Sequence, residues 1–124
     1  MEIIDSETEI DFNHLNQYVG GDASLTLEVF GLFKNQIDMW GKQLTSDADD
    51  NVWAALTHSL KGTARAIGAM KLAEACERAE SLIGEERRLS ARQVAVDMME
   101  RRIDRAMGEI NRWEYQQKIN SIRS

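Results

Sequence analysis

One short stretch of the chain gathers residue types that can do chemistry: His58, Lys61 and Gly62, with Arg65 just beyond. A neutral imidazole is a good nucleophile near pH 7, because its free pKa lies at about 6.5. It can attack the phosphorus of an aspartyl phosphate and hold the group as phosphohistidine. Phosphoryl transfer asks a protein for little covalent help. It needs positioning, and positive charge near the phosphoryl oxygens. On a helix, Lys61 and Gly62 are the i+3 and i+4 neighbours of His58, and Arg65 follows on the same face. Lys61 supplies charge at the right separation, and Arg65 can add to it. Gly62 removes a side chain where another protein must approach the ring, at a helix cost of roughly 1 kcal/mol. A mid-helix glycine beside an exposed histidine breaks a local rule, and such breaks tend to mark function.

That spacing has meaning only on a helix, and the rest of the chain is written for helices. Pro is absent, Ala, Leu, Glu, Arg and Met are plentiful, and no run of alternating β-branched residues stands out. A short amphipathic helix is expected over Phe12–Val19, capped by Asp11 and ended by Gly20-Gly21. A longer one is expected over roughly 23–45 after Asp22, with Phe30, Phe33, Ile37, Trp40 and Leu44 as its apolar stripe. The third, roughly 51–67, turns Trp53, Leu56, Leu60, Thr63 and Ile67 inward. His58 then lies about 170° from the centre of that stripe, at about 100° per residue. Small residues flank its face: Ala54, Ala55, Ala66 and Ala69. A fourth helix is expected over about 70–83, using Leu72, Cys76, Ala79 and Ile83. The last, roughly 91–119 after a Ser90 cap, keeps a 3-4 spacing through Val96, Met99, Ile103, Ala106, Ile110 and Trp113, and is expected to fray beyond it.

Short connections between long amphipathic helices favour antiparallel neighbours. The expected fold is therefore all-α: an antiparallel up-down four-helix bundle, with the short first helix across one end and residues 1–9 loose. A chain of 124 residues fits a single domain. The net charge of −6 argues against a general nucleic-acid binder. One cysteine, Cys76, rules out an internal disulfide and fits a reducing compartment. The first residues lack the basic-then-apolar pattern of a signal peptide, and no apolar run is long enough to span a membrane. A cytoplasmic monomer is expected. His14 has no comparable setting and is read as solvated surface.

The run His58-Ser59-Leu60-Lys61-Gly62-Thr63-Ala64-Arg65-Ala66-Ile67-Gly68-Ala69 resembles the signature of histidine-containing phosphotransfer (HPt) domains, roughly H-x-x-K-G-[ST] with a Gly six residues after the first. Leu72, Cys76, Glu77 and Glu80 continue the family's next helix, L-x-x-x-C-E-x-x-[EQ]. Asp11, Leu15, Gly21-Asp22, Phe30 and Phe33 resemble its opening, so the similarity covers about residues 10–84.

The resemblance implies that His58 takes the phosphoryl group on Nε2 and that Lys61 steadies it. Gly62 would leave room for the partner, and Gly68 would allow tight packing at the helix end. Glu80 would hydrogen-bond the imidazole, favouring Nδ1–H and leaving Nε2 as the nucleophile. Arg65 is less characteristic of the family, and its role rests on the residues alone. The implied partners are response-regulator receiver domains and a hybrid or cognate histidine kinase. Leu15, Tyr18, Leu25, Val29 and Ala55 are candidate docking contacts beside the ring, and the first four suit the core equally well. Lys61, Arg65 and Lys71 make this stretch basic, complementary to the acids of a receiver site. No cofactor is implied for the chain; Mg²⁺ would arrive with the receiver.

Three other readings are weaker. A histidine kinase needs a nucleotide-binding module, and no Gly-rich box or spare length exists. Kinase dimerisation helices also tend to carry an acid after the His and a Pro downstream, whereas Ser59 follows His58 and Pro is absent. A helical adaptor that binds a signalling partner without being phosphorylated leaves the combination of His58, Lys61 and Gly62 unexplained. A metal site lacks any His/Cys pair at ligand spacing.

Overall fold

The computed structural model describes residues 8–123, all helix, turn and loop with no strand among them. Among the described residues five α-helices follow in order, α1 (Phe12–Val19), α2 (Ala23–Gly41), α3 (Asp50–Ala66), α4 (Met70–Glu80) and α5 (Leu89–Arg123), with a 3-10 turn at Gly84–Glu86. Residues 1–7, where the loose N-terminus was expected, lie outside the described residues.

The caps explain the first two helices. The Asp11 carboxylate accepts from the His14 N–H at 3.2 Å, and Gly20 closes α1 in the left-handed region at φ 62°. The Asp22 carboxylate accepts from the Leu25 N–H at 3.2 Å and starts α2. The second helix stops at Gly41, short of the expected Thr45. There the chain turns tightly, with the Gln43 and Leu44 N–H groups both returning to the Trp40 carbonyl, so Leu44 is buried from a turn. The fourth helix likewise ends at Glu80, and Ile83, expected inward, is exposed beyond it. The fifth starts one residue before Ser90 and does not fray after Trp113; it runs helically to Arg123.

Phe30, Phe33, Trp53, Leu60, Leu72, Met99 and Ile110 make the centre of the core. The Trp53 indole N–H donates to the Ala79 carbonyl at 2.7 Å, fixing α3 against the end of α4. Arg92 is fully buried. Its guanidinium lies 4.4 Å over the Trp53 ring and donates to the Leu82, Ser46 and Ala48 carbonyls and to Asp50. One side chain on α5 thereby holds the connections on both sides of α3 and α4.

The segment before α1 is held too. Glu9 is buried against Arg102 and Arg105, while the Glu109 carboxylate accepts the Glu9 and Ile10 N–H groups at 2.8 and 2.9 Å. The Asp11 N–H donates to the Gly68 carbonyl at 2.9 Å. Gly68 sits at φ 81°, and a Cβ there would stand 2.6 Å from the Asp11 carbonyl oxygen. Only glycine allows both that conformation and that approach.

Candidate functional site

His58 stands midway along α3 with 74% of its side chain exposed. Its Nδ1 lies 2.9 Å from Oε2 of Glu80, which reaches across from the last turn of α4. The other oxygen of the same carboxylate accepts from Lys61 Nζ at 2.7 Å. Burial pushes the Glu80 carboxyl upward, but the hydrogen bonds from Lys61 and His58, with the Lys61 charge, outweigh it and hold the group below its ordinary value. Glu80 is therefore a carboxylate, which only accepts. The contact requires a proton on Nδ1, so in the neutral ring the lone pair is at Nε2, on the exposed side. Beneath this pair the Cys76 thiol is buried and pushed up to about 12, first by desolvation, then by the Glu80 charge against that of Lys61. It is no nucleophile at neutral pH.

A turn further along α3, Gly62 lies open: a Cβ added there would meet nothing within 4 Å. Arg65 is 53% exposed and loosely paired with Glu77 of α4 at 3.7 Å. Gly62 and Arg65 share a shallow depression of about 350 Å³ with Ala66, Met70, and His14 and Tyr18 of α1. The His14 and Tyr18 rings meet edge-on at 5.4 Å, so His14 is half-buried rather than solvated. Among the described residues, no three His, Cys, Asp or Glu side chains converge as a metal would require, and no helix is long and apolar enough to cross a membrane.

The Hpt domain model matches residues 28–113, from within α2 to Trp113 on α5. The chain belongs to the Hpt domain family. The match includes most of the final helix, which the sequence resembled only as a long amphipathic element. The solved structure of the histidine phosphotransferase ShpA from Caulobacter crescentus is similar over 92% of this chain and 98% of its own, with 28% identity and a TM-score of 0.73. No curated protein matches the chain.

On this Hpt domain the residues of the His58, Lys61, Gly62 and Arg65 face share one surface with Glu80, but the expected docking set is divided. Tyr18, at 68% exposure, and Leu25 and Ala55 are open to a partner. Leu15 is not: it is 1% exposed, because it and Val19 form the i, i+4 pair that seats α1 on the core. Val29 is half-buried and packs against the same core, leaving only an edge outward.

Thr63 also departs from its expected inward place. It is half-buried, and its hydroxyl sits between the Gln36 side-chain oxygen at 2.6 Å and the Ser59 carbonyl at 3.1 Å. Thr57 and Ala64 are buried on α3 as well. Sequence reasoning missed Leu32 and Met39, which stand exposed seven residues apart on α2, the helix joined to α3 through Gln36. Their spacing with Leu25 was the available signal.

Proposed function

We propose that the chain is a phosphorelay carrier, taking a phosphoryl group on Nε2 of His58 from the aspartyl phosphate of one receiver domain and passing it to the aspartate of another. The observation that carries this reading is the exposed imidazole whose inner nitrogen is bound to an ionised carboxylate. Membership of the Hpt domain family and likeness to a protein described as a histidine phosphotransferase support it. In the forward step, the Nε2 lone pair forms the N–P bond as the P–O bond to the donor aspartate breaks, and the aspartate leaves as a carboxylate. The ring keeps its Nδ1 proton and becomes an imidazolium facing Glu80, which stabilises the charge as it forms. Return transfer reverses each step.

Lys61 and Arg65 bring positive charge to this face, and Gly62 leaves the approach open. Tyr18, Leu25 and Ala55 meet the receiver, which brings its own Mg²⁺. A histidine kinase, hybrid or cognate, supplies the first phosphoryl group upstream, in the cytoplasm. An antiparallel up-down arrangement of α2 to α5 suits this role. The pairing of His58 and Lys61 with Glu80, and of Arg65 with Glu77, is what oppositely directed α3 and α4 would give.

The test is incubation with a receiver domain carrying labelled aspartyl phosphate. Wild type should acquire label that is acid-labile and alkali-stable. His58→Ala should acquire none while keeping its helical circular dichroism, because the position faces solvent. Absence of label from both, with a receiver complex still forming, would make the chain an adaptor.

A further inference from the structure

Lys61 and Arg65 are both cations on the His58 face, yet the structure commits them differently. Lys61 is only 14% exposed, and its ammonium is bound at 2.7 Å to the Glu80 oxygen that His58 does not use. It lies between α3 and α4, on the Nδ1 side of the ring. Arg65 is half-exposed, and Glu77, the acid it pairs with among the described residues, is 3.7 Å away and more exposed still. An exposed pair that long is worth little and exchanges readily.

Arg65 is two turns beyond His58, about 10 Å along the axis. Helical side chains lean toward the N-terminus, so its long stem points back toward the histidine. Gly62 lies between the two positions with no side chain and nothing within 4 Å of where one would be. The way from the guanidinium to the outer edge of the imidazole is therefore open.

We propose that Arg65 is the cation that meets the phosphoryl group carried on His58, and that Lys61 is a positioning residue acting through Glu80. On phosphorylation, the guanidinium exchanges its loose contact with Glu77 for two of the phosphoryl oxygens, to which its planar fork can donate in bidentate fashion. Lys61 stays where it is, holding the carboxylate that holds Nδ1–H. The proposal rests on the carrier reading, and its test uses phosphoramidate, a small donor that needs no docking surface.

Loading at His58 and loss of the group are followed by ³¹P NMR. Arg65→Gln should load about tenfold more slowly, lose the group several-fold faster and shift the phosphohistidine resonance. Arg65→Lys should recover most of the loading rate. Lys61→Met should slow loading in the native background. In a Glu80→Gln background it should add less than about twofold, because its route to the ring is already gone, whereas Arg65→Gln should keep its whole effect there.

The proposal is overturned if Arg65→Gln matches wild type in rate, lifetime and resonance. It is equally overturned if Lys61→Met costs as much without the Glu80 carboxylate as with it. Absence of any phosphohistidine in wild type would instead remove the carrier reading, and the proposal with it.

Discussion

At Gly62 two free energies oppose each other. Glycine inside a helix costs roughly 1 kcal/mol relative to alanine, and nothing in the fold requires it, since an added Cβ would meet no atom within 4 Å. Gly62→Ala should therefore raise stability by about 0.5–1 kcal/mol, measured by urea unfolding. Gly62→Gln should slow transfer from a receiver domain far more than loading by phosphoramidate, which loses only what the new side chain takes from the approach of Arg65 to the ring. If both donors slow equally, the glycine is not there to clear a protein's approach. The neighbours of His58 along its own helix were legible in the sequence, because i+3 and i+4 relations are fixed by helix geometry. Glu80 was reached through the family resemblance. That its second oxygen holds Lys61 was not legible, because it depends on how α3 and α4 sit against each other, and no spacing within one helix encodes that.

Among the elements, the turn between α3 and α4 carries more than its length suggests. Gly68 ends one helix at φ 81°, accepts the Asp11 N–H, and is approached by the Asp11 backbone. Gly68→Ala would be strained in its dihedral angle and would press a methyl on a carbonyl oxygen. A loss of about 2–3 kcal/mol in urea unfolding is expected. Loading of His58 by phosphoramidate should survive wherever the variant remains folded. The beginning of α5 depends on Arg92, whose donors all end on carbonyls or on Asp50 around the Trp53 ring. Arg92→Met keeps the stem but orphans those acceptors, and should cost roughly 3 kcal/mol in the same assay. The existence, order and inward stripes of the helices were largely legible from apolar periodicity. Their ends were less so: α2 and α4 stop early where backbone N–H groups return to carbonyls, and a buried arginine in the first turns of α5 looks like a surface charge in sequence.

For the whole molecule, acid should act through a small number of carboxylates rather than through the net charge of −6. Glu80 and Asp50 are both held below their ordinary values. In Glu80, burial is outweighed by Lys61 and His58. In Asp50, the Gly84 N–H is the largest cause, opposed by burial and reinforced by Arg87 and Arg92. A carboxyl depressed by folding binds its proton more readily in the unfolded chain. Its stabilisation is thus fully present above the unfolded pKa of about 4 and is lost as pH falls through the lower folded value. Charge repulsion works the other way, since neutralising other acids of an acidic chain relieves it. The unfolding free energy should therefore hold or rise slightly from about pH 7 to 5, then fall steeply below about pH 4. Glu80→Gln separates the two effects. It removes a depressed carboxyl while keeping its shape, so the variant should be less stable than wild type at neutral pH, and the gap should close as Glu80 itself is protonated. Urea unfolding of both proteins at about pH 7, 5 and 3 decides it. A gap that persisted undiminished at the lowest pH would mean that packing of the Glu80 side chain, and not its charge on Lys61 and His58, joins α4 to the face that carries the imidazole.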